Sequence, residues 1–172
     1  EDAPDIKLRK LEAMLSRAGA ATGADIPLYA SLLSIPTDGL YSAPDRTPQR
    51  QRELTIAALL RQVLGLAVKQ PVVIGFKDAH LIDSSTLELF SRLVASIKTA
   101  RVFILSSFRP EFSPRWIDES HVTTLRLNRL PREQSELIML DVAGYKQLPH
   151  ELHEQIIRKA DGVPLFVEEL TK

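Results

Sequence analysis

Apolar residues recur at helical spacing in the first part of the chain, with charged residues between them. The first of these patterns stops at Gly19, a residue type that favours helix ends, and the longest opens with Pro48, which suits the first turn of a helix. Residues 37–48 carry turn-forming residues and predict an exposed loop. We therefore predict three helices, over residues 5–18, 26–35 and 48–69.

Two apolar runs without alternation follow, and both end in polar residues. The first ends in Lys77 and Asp78, and the second leads through two serines to Arg109. Unbroken apolar runs of this length are typical of parallel strands that are covered on both faces. The sequence therefore predicts strands at 72–77 and 102–105.

A helical pattern lies between the two predicted strands, and Ser85 with Glu88 three residues later predicts a capping box at its start. Strand, helix and strand in this order predict a right-handed βαβ unit. A third strand is expected at 121–127, which reads His-Val-Thr-Thr-Leu-Arg-Leu. The predicted sheet therefore has about three strands.

Three further helical patterns complete the chain. They begin near Pro131, Pro149 and Pro164, and the first two stop at Gly144 and Gly162. We divide the chain into a helical segment, an α/β core and a second helical segment, at residues 1–70, 71–130 and 131–172.

Composition and charge narrow the possible functions. The 172 residues fit one globular domain, and 22 basic residues balance 22 acidic ones, so no global charge favours nucleic acid or an anionic membrane. Because cysteine is absent, disulfides and thiolate metal sites are excluded, and we expect a reducing, cytoplasmic location. No apolar run approaches the roughly 18 residues that a membrane span needs.

Two other signals are set aside. His150 and His153 are three residues apart, whereas the zinc-protease arrangement needs histidines four apart with glutamate directly after the first. Arg126, Arg129 and Arg132 have acidic residues close by and no interleaved aromatic residues, so a solvated face explains them better than nucleic-acid binding.

Three features carry candidate chemistry, and each also has an ordinary interpretation. Asp78 lies where a parallel strand presents a ligand-binding carboxylate, although many α/β strands end in aspartate. Arg109 suits a phosphate contact, but a surface loop arginine is the simpler alternative. Gly162 and Pro164 form either a site element or a tight turn between helices.

Together and in order, these motifs resemble a known family. The segments are Val-Val-Ile-Gly-Phe-Lys-Asp-Ala-His-Leu-Ile-Asp, Phe-Ile-Leu-Ser-Ser-Phe-Arg-Pro-Glu-Phe, His-Val-Thr-Thr-Leu-Arg-Leu-Asn-Arg-Leu and Asp-Gly-Val-Pro-Leu-Phe-Val-Glu-Glu-Leu-Thr-Lys. The series resembles the STAND-class signal-transduction ATPases, and most of all the AAA-like module linked to class III adenylate/guanylate cyclases in bacterial regulators. LuxR-type regulators carry a related module. The likeness covers nearly the whole chain.

The resemblance implies an α/β three-layer fold like that of P-loop NTPases, with an incomplete parallel sheet and a helical C-terminal part. It also implies site residues. Asp78 matches a Walker B acid that holds Mg²⁺ or orients water, and Arg109 matches the arginine that senses the γ-phosphate. Gly162 and Pro164 match a Gly-x-Pro turn near the adenosine, and His80 matches a histidine common after the acidic motif.

The chain departs from the family in two ways. Lys77 stands where the family usually has a first acid, and its ammonium would repel Mg²⁺ while being able to contact phosphate. No Gly-x-x-x-x-Gly-Lys-Ser/Thr occurs, and the nearest glycine pair, Gly19 and Gly23, is followed by Ala24 in place of lysine. We therefore expect that ATP does not bind tightly to this chain.

By the resemblance, the phosphate loop and the central strand lie upstream in a longer polypeptide, and the chain is an excised or processed piece. The strands at 102–105 and 121–127 would then lose their shared neighbour. This loss would leave unpaired backbone groups along a buried edge. Our hypothesis is that the fragment closes the gap by rearranging or fills it with another chain.

The implied function is regulation. The complete module would bind ATP or ADP with Mg²⁺ and control an attached adenylate/guanylate cyclase, and it would act as an ATPase, a cyclase or both. Its partners would be the rest of its own polypeptide, namely the P-loop half, cyclase and helical repeats, or a second copy in a homo-oligomer. We expect the chain alone to be inactive. The alternative is a non-catalytic scaffold for protein interaction or oligomerisation without nucleotide binding.

Overall fold

A computed structural model of the chain describes residues 3–19, 23–37, 41 and 47–172. Most of the predicted loop at 37–48 lies outside these residues. The chain divides into two compact units, Glu1–Thr123 and Thr124–Lys172. The fold is α/β and rich in helix, with a small parallel sheet in the first unit.

The first unit begins with the three predicted helices, α1 (Pro4–Ala18), α2 (Ile26–Leu32) and α3 (Pro48–Lys69). As predicted, α1 ends at Gly19, which adopts a left-handed conformation with φ of 69°. The apolar faces of the three helices meet in one buried cluster. Its members are Leu8, Leu11, Leu15, Leu28, Tyr29, Ala30 and Ala58.

A buried carboxylate paired with an exposed arginine supports this helical cluster. The carboxylate of Asp25, at the start of α2, is buried and accepts a hydrogen bond from the guanidinium of Arg61 on α3. The Tyr29 hydroxyl donates to the carbonyl of Ala58 over 2.8 Å, and burial raises the pKa of Tyr29 to about 12. A buried polar group costs free energy unless it is hydrogen-bonded, and these two hydrogen bonds satisfy the polar groups of α2 while joining α2 to α3.

The two predicted strands are present and pair in parallel. β1 (Val72–Phe76) and β2 (Val102–Ser106) run in register from the Val72–Val102 pair to the Phe76–Ser106 pair. The helix α4 (Ser84–Ser96) lies between them in sequence and completes the βαβ unit. This part of the prediction is confirmed.

An aromatic cluster covers one face of the sheet. Phe90 of α4 packs against Phe76 of β1 with ring centroids 5.2 Å apart, and against Trp116 at 5.1 Å. Trp116 lies in a 3₁₀ turn (Arg115–Asp118) and also contacts Phe108 edge-on at 5.7 Å. The segment after β2 is thus anchored beneath the sheet by aromatic packing.

The opposite face of the sheet is open. The side chains of Val73, Phe103 and Leu105 remain 74%, 62% and 66% exposed. Within the described residues, then, the sheet is covered on one face only, although its apolar pattern predicted cover on both.

The predicted third strand is wrong. Residues 121–127 form no strand, and Leu125 and Leu127 are 82% and 90% exposed. The sheet has two strands among the described residues, not about three. Apolar–polar alternation can favour an extended chain, but a strand forms only where a neighbour supplies free backbone N–H and C=O groups.

The second unit contains three helices at the predicted places, α5 (Arg132–Val142), α6 (His150–Ala160) and α7 (Pro164–Thr171). Its core consists of Met139, Ile156, Ala160 and Val167. On the surface, the Arg132 guanidinium contacts the carboxylates of Glu136 and Glu154, which joins α5 to α6. Across the described residues, no helix is both long enough and apolar enough to cross a membrane.

The cap of α4 differs from the predicted capping box. Asp83, not Ser85, is the N-cap, and its carboxylate accepts hydrogen bonds from the backbone N–H groups of Ser85 and Thr86 at 2.8 and 3.1 Å. Glu88 pairs instead with Arg52 over 2.6 Å. Asp83 and Ser85 are both residue types that can cap a helix. Because the helix begins at Ser84, Asp83 occupies the N-cap position.

We expect D83A to lower the midpoint of thermal unfolding at neutral pH, and D83N to retain most of the stability because asparagine also caps helices. Hydrogen bonds from the Thr86 hydroxyl, then from the backbone of Thr86 and Ser85, hold the pKa of Asp83 below its ordinary value. This stabilisation is therefore complete above the ordinary pKa and is lost as pH falls through the lowered one. Thermal unfolding followed by circular dichroism at neutral and acidic pH should show that the difference in midpoint between wild type and D83A becomes smaller in acid. A difference that stays constant with pH would contradict this role of Asp83.

Candidate functional site

The corner at the end of β1 is fixed by Ser107, which follows β2. The Ser107 N–H donates to the Phe76 carbonyl at 3.0 Å, and the Ser107 carbonyl accepts from Ala79 N–H at 2.8 Å. The hydroxyl of Ser107 accepts from the Asp78 N–H at 3.2 Å. Asp78 itself has a positive φ of 56°, a conformation that aspartate tolerates better than most residues. One serine therefore joins the ends of both strands and holds the turn that carries Asp78.

Lys77 and Asp78 point into solvent to different degrees. The side chain of Lys77 is 88% exposed and that of Asp78 is 48% exposed, with 4.0 Å between the ammonium nitrogen and the nearer carboxylate oxygen. An exposed pair at this distance contributes little to stability. Both charges are therefore available to a ligand at this edge.

Arg109 lies three residues beyond β2, in a segment anchored by aromatic residues. Phe108 and Phe112 pack edge-on at 5.7 Å, and the Phe112 N–H donates to the Arg109 carbonyl at 3.0 Å. The backbone of Arg109 is thus held while its side chain is exposed. Because β1 and β2 are parallel and in register, both strands end at the same edge of the sheet, with Asp78 two residues beyond β1 and Arg109 three residues beyond β2.

His80 lies in a 3₁₀ turn (Ala79–Leu81) directly after the corner, next to the fully buried Ala79. Its Nδ1 atom is buried and makes no hydrogen bond to any described residue. A buried polar atom without a partner costs free energy, so this nitrogen is an unsatisfied group next to the corner.

Gly162 and Pro164 are brought together in the second unit, at the turn between α6 and α7. Gly162 has a positive φ of 71°, and its carbonyl accepts a hydrogen bond from the Leu130 N–H at 2.7 Å. Arg129 pairs with the Asp161 carboxylate and donates to the Asp161 carbonyl at 3.2 Å. The turn is therefore packed tightly onto residues 129–130, and Pro164 begins α7.

Sequence reasoning missed two elements of these sites. Ser107 was visible as a serine after a strand, but its three hydrogen bonds depend on the register between β1 and β2. The contact between Leu130 and Gly162 depends on how residues 129–130 lie against the helices, for which we find no local signal.

The described residues contain no group of three or more histidine, aspartate or glutamate side chains placed to hold a metal ion. His153 instead lies 3.8 Å from carboxylate oxygens of both Glu136 and Glu154. At the sheet edge, Asp78 offers one carboxylate with the Lys77 ammonium beside it, which does not fit a Mg²⁺ site built from protein ligands alone. A shallow groove of about 280 Å³ on α1, lined by Leu11, Met14 and Leu33 among others, contains none of the predicted site residues.

Comparison with known proteins finds a relative but no family. No family model matches the chain, and no solved structure is similar to it. The chain is 28% identical over 160 residues to a protein of Rhizobium meliloti (strain 1021) named Uncharacterized protein R02095. The match covers 92% of this chain and 15% of the relative, so the chain spans about one-seventh of that protein's length.

Proposed function

We propose that the chain is part of a regulatory nucleotide-binding module of the STAND type. One observation carries the proposal: two adjacent parallel strands end at the same carboxyl edge, and a half-exposed carboxylate, Asp78, and an exposed arginine, Arg109, follow them within three residues. Open parallel sheets bind ligands at this edge. A guanidinium is a strong bidentate partner for phosphate, so a polyphosphate is the ligand class that suits it.

Each residue has a role in this proposal. Arg109 contacts the terminal phosphate, and the Lys77 ammonium contacts the same polyphosphate as a second cation. Asp78 orients a phosphate-bound Mg²⁺. Since the Lys77 ammonium lies 4.0 Å from the Asp78 carboxylate, we assign binding and no hydrolysis step to these residues.

In the complete protein, we propose that nucleotide binding controls an attached adenylate/guanylate cyclase in the cytoplasm. The much greater length of the R. meliloti relative is compatible with such a multidomain parent. The phosphate loop would come from elsewhere in that polypeptide, so the chain by itself supplies only half of the site.

A second candidate is an oligomerisation scaffold without nucleotide chemistry. The open apolar face at Val73, Phe103 and Leu105 favours it, because soluble proteins rarely leave contiguous apolar surface exposed without a partner. Nucleotide titration separates the two candidates, since a scaffold has no reason to depend on Arg109.

We expect ATP to bind this chain weakly, in the millimolar range, and R109A to weaken binding about tenfold or more. A hydrogen bond between charged groups contributes about 1.5–3 kcal/mol, which corresponds to at least a tenfold change in affinity. Isothermal titration calorimetry with ATP, with and without Mg²⁺, measures the change.

The matched control is R115A, which removes another exposed arginine of the same unit, from the 3₁₀ turn next to Trp116. We expect it to leave ATP binding unchanged. If R109A and R115A weaken binding equally, the effect is one of net charge and the assigned site is wrong. If ATP at millimolar concentration gives no saturable heat, the scaffold candidate replaces the nucleotide proposal.

A further inference from the structure

The outer edge of β2 carries backbone groups that no other strand of the described chain uses. The Arg101 carbonyl accepts from Val72 N–H, and the Ser107 N–H donates to the Phe76 carbonyl. In a parallel ladder the bonding residues alternate along each strand, so between these two points Phe103 and Leu105 bond to β1. The backbone groups of Ile104 and Ser106 therefore point away from β1, towards the open edge, whereas the Val102 N–H already donates to the Ala100 carbonyl at 2.8 Å.

This edge lacks the features that protect exposed strands. β2 reads Val-Phe-Ile-Leu-Ser, with no charged residue, no proline and no bulge. Natural proteins use such features to prevent edge-to-edge pairing. The edge also adjoins the open apolar face, where Phe103 and Leu105 are 62% and 66% exposed.

The sequence of β2 is complementary to itself in one register. If two copies pair antiparallel about a twofold axis at Ile104, each Ile104 exchanges both of its outward backbone hydrogen bonds with its counterpart. Phe103 of one copy then lies directly opposite Leu105 of the other, on the open face. These are non-hydrogen-bonded positions, where cross-strand side chains approach most closely.

We propose that the outer edge of β2 binds a second copy of this chain, forming a four-stranded sheet in the order β1-β2-β2-β1. The occupant is assigned from this register, which satisfies the outward groups of Ile104 and covers Phe103 with Leu105 in the same contact. The patch is only a few hundred Å² per copy, below the area of a standard interface, so the dimer is weak and concentration-dependent. This names the partner for the scaffold candidate. In the nucleotide-binding proposal, an upstream strand of the longer polypeptide would occupy the same edge of β2 instead.

The test uses charge pairs placed at the two opposing positions. One chain carries F103K with L105K and a second carries F103E with L105E; both positions are exposed, so the substitutions spare the core. In sedimentation equilibrium without nucleotide, we expect wild type to self-associate as concentration rises and each substituted chain to associate about tenfold more weakly or worse. An equimolar mixture of the two chains should restore dimers, because opposite charges then face one another.

The control is V73K, which places a charge on the same open face but on β1, one strand away from the edge. We expect V73K to dimerise like wild type. Wild type that stays monomeric at every concentration overturns the proposal, and so does a mixture that fails to associate. Loss of dimers in V73K would show face-to-face packing instead of edge pairing. If a charged chain does not fold, hydrogen exchange of the wild-type Ile104 amide decides: protection must rise with protein concentration.

Discussion

Replacing Trp116 with alanine is expected to destabilise the first unit by about 3–5 kcal/mol, the usual cost of removing a buried tryptophan. Trp116 is 6% exposed and packs against Phe90 and Phe108, with ring centroids 5.1 and 5.7 Å away. The alanine variant loses this aromatic packing and leaves a cavity beneath the covered face of the sheet. Because the stability of a domain is about 5–15 kcal/mol, the loss is a large fraction of it.

Urea unfolding followed by circular dichroism measures this change, since Trp116 is the single tryptophan and W116A has no indole fluorescence. The control is W116F, which keeps an aromatic ring in place. The indole Nε1 is buried and makes no hydrogen bond to any described residue, so phenylalanine removes an unsatisfied donor and should cost much less than alanine. Equal losses in W116A and W116F would contradict the packing that we describe.

Replacing Gly162 with alanine is expected to destabilise the second unit by about 2–4 kcal/mol. An added Cβ would lie 2.6 Å from the Leu130 carbonyl oxygen and 3.0 Å from the Cβ of Arg129, so the turn would have to move off residues 129–130. The left-handed backbone alone costs a residue with a side chain about 1–2 kcal/mol. The hydrogen bond from Leu130 to Gly162 weakens as well.

The matched control is G144A. Gly144 also has a positive φ, of 63°, but an added Cβ meets nothing within 4 Å, so only the conformational cost of about 1–2 kcal/mol applies. Thermal unfolding by circular dichroism gives the stabilities, and hydrogen exchange of α6 and α7 amides locates the loss. If G162A costs no more than G144A, the close approach of Leu130 to the turn is wrong.

Local signals predicted the helices and the two strands well. Gly19, Pro48 and Pro164 mark helix ends in the sequence, and each lies at a helix end in the structure. The cap at Asp83 was missed because Asp83 and Ser85 both fit the local pattern, and the choice depends on where the helical backbone starts. Helix boundaries commonly shift by one or two residues, which is the separation between Asp83 and Ser85.

The prediction of a third strand was wrong for a different reason. Strand formation at 121–127 requires pairing with a neighbouring strand. These residues pair with no strand among the described residues, and Leu125 and Leu127 remain exposed. For the candidate site, the sequence predicted two parallel strands that end before Asp78 and Arg109, and both strands do end at the same edge of the sheet. The positive φ of Asp78 and the three hydrogen bonds of Ser107 follow from the register of β1 on β2, which the sequence does not specify.

The central claim is that the carboxyl edge of the β1–β2 pair binds a polyphosphate. The most direct test maps amide chemical-shift changes by NMR while ATP is added to this chain at millimolar concentration. We predict saturable shifts confined to residues around Asp78, Ser107 and Arg109, and their loss in R109A. Shifts that are absent, that persist unchanged in R109A or that cluster elsewhere on the first unit would contradict the claim.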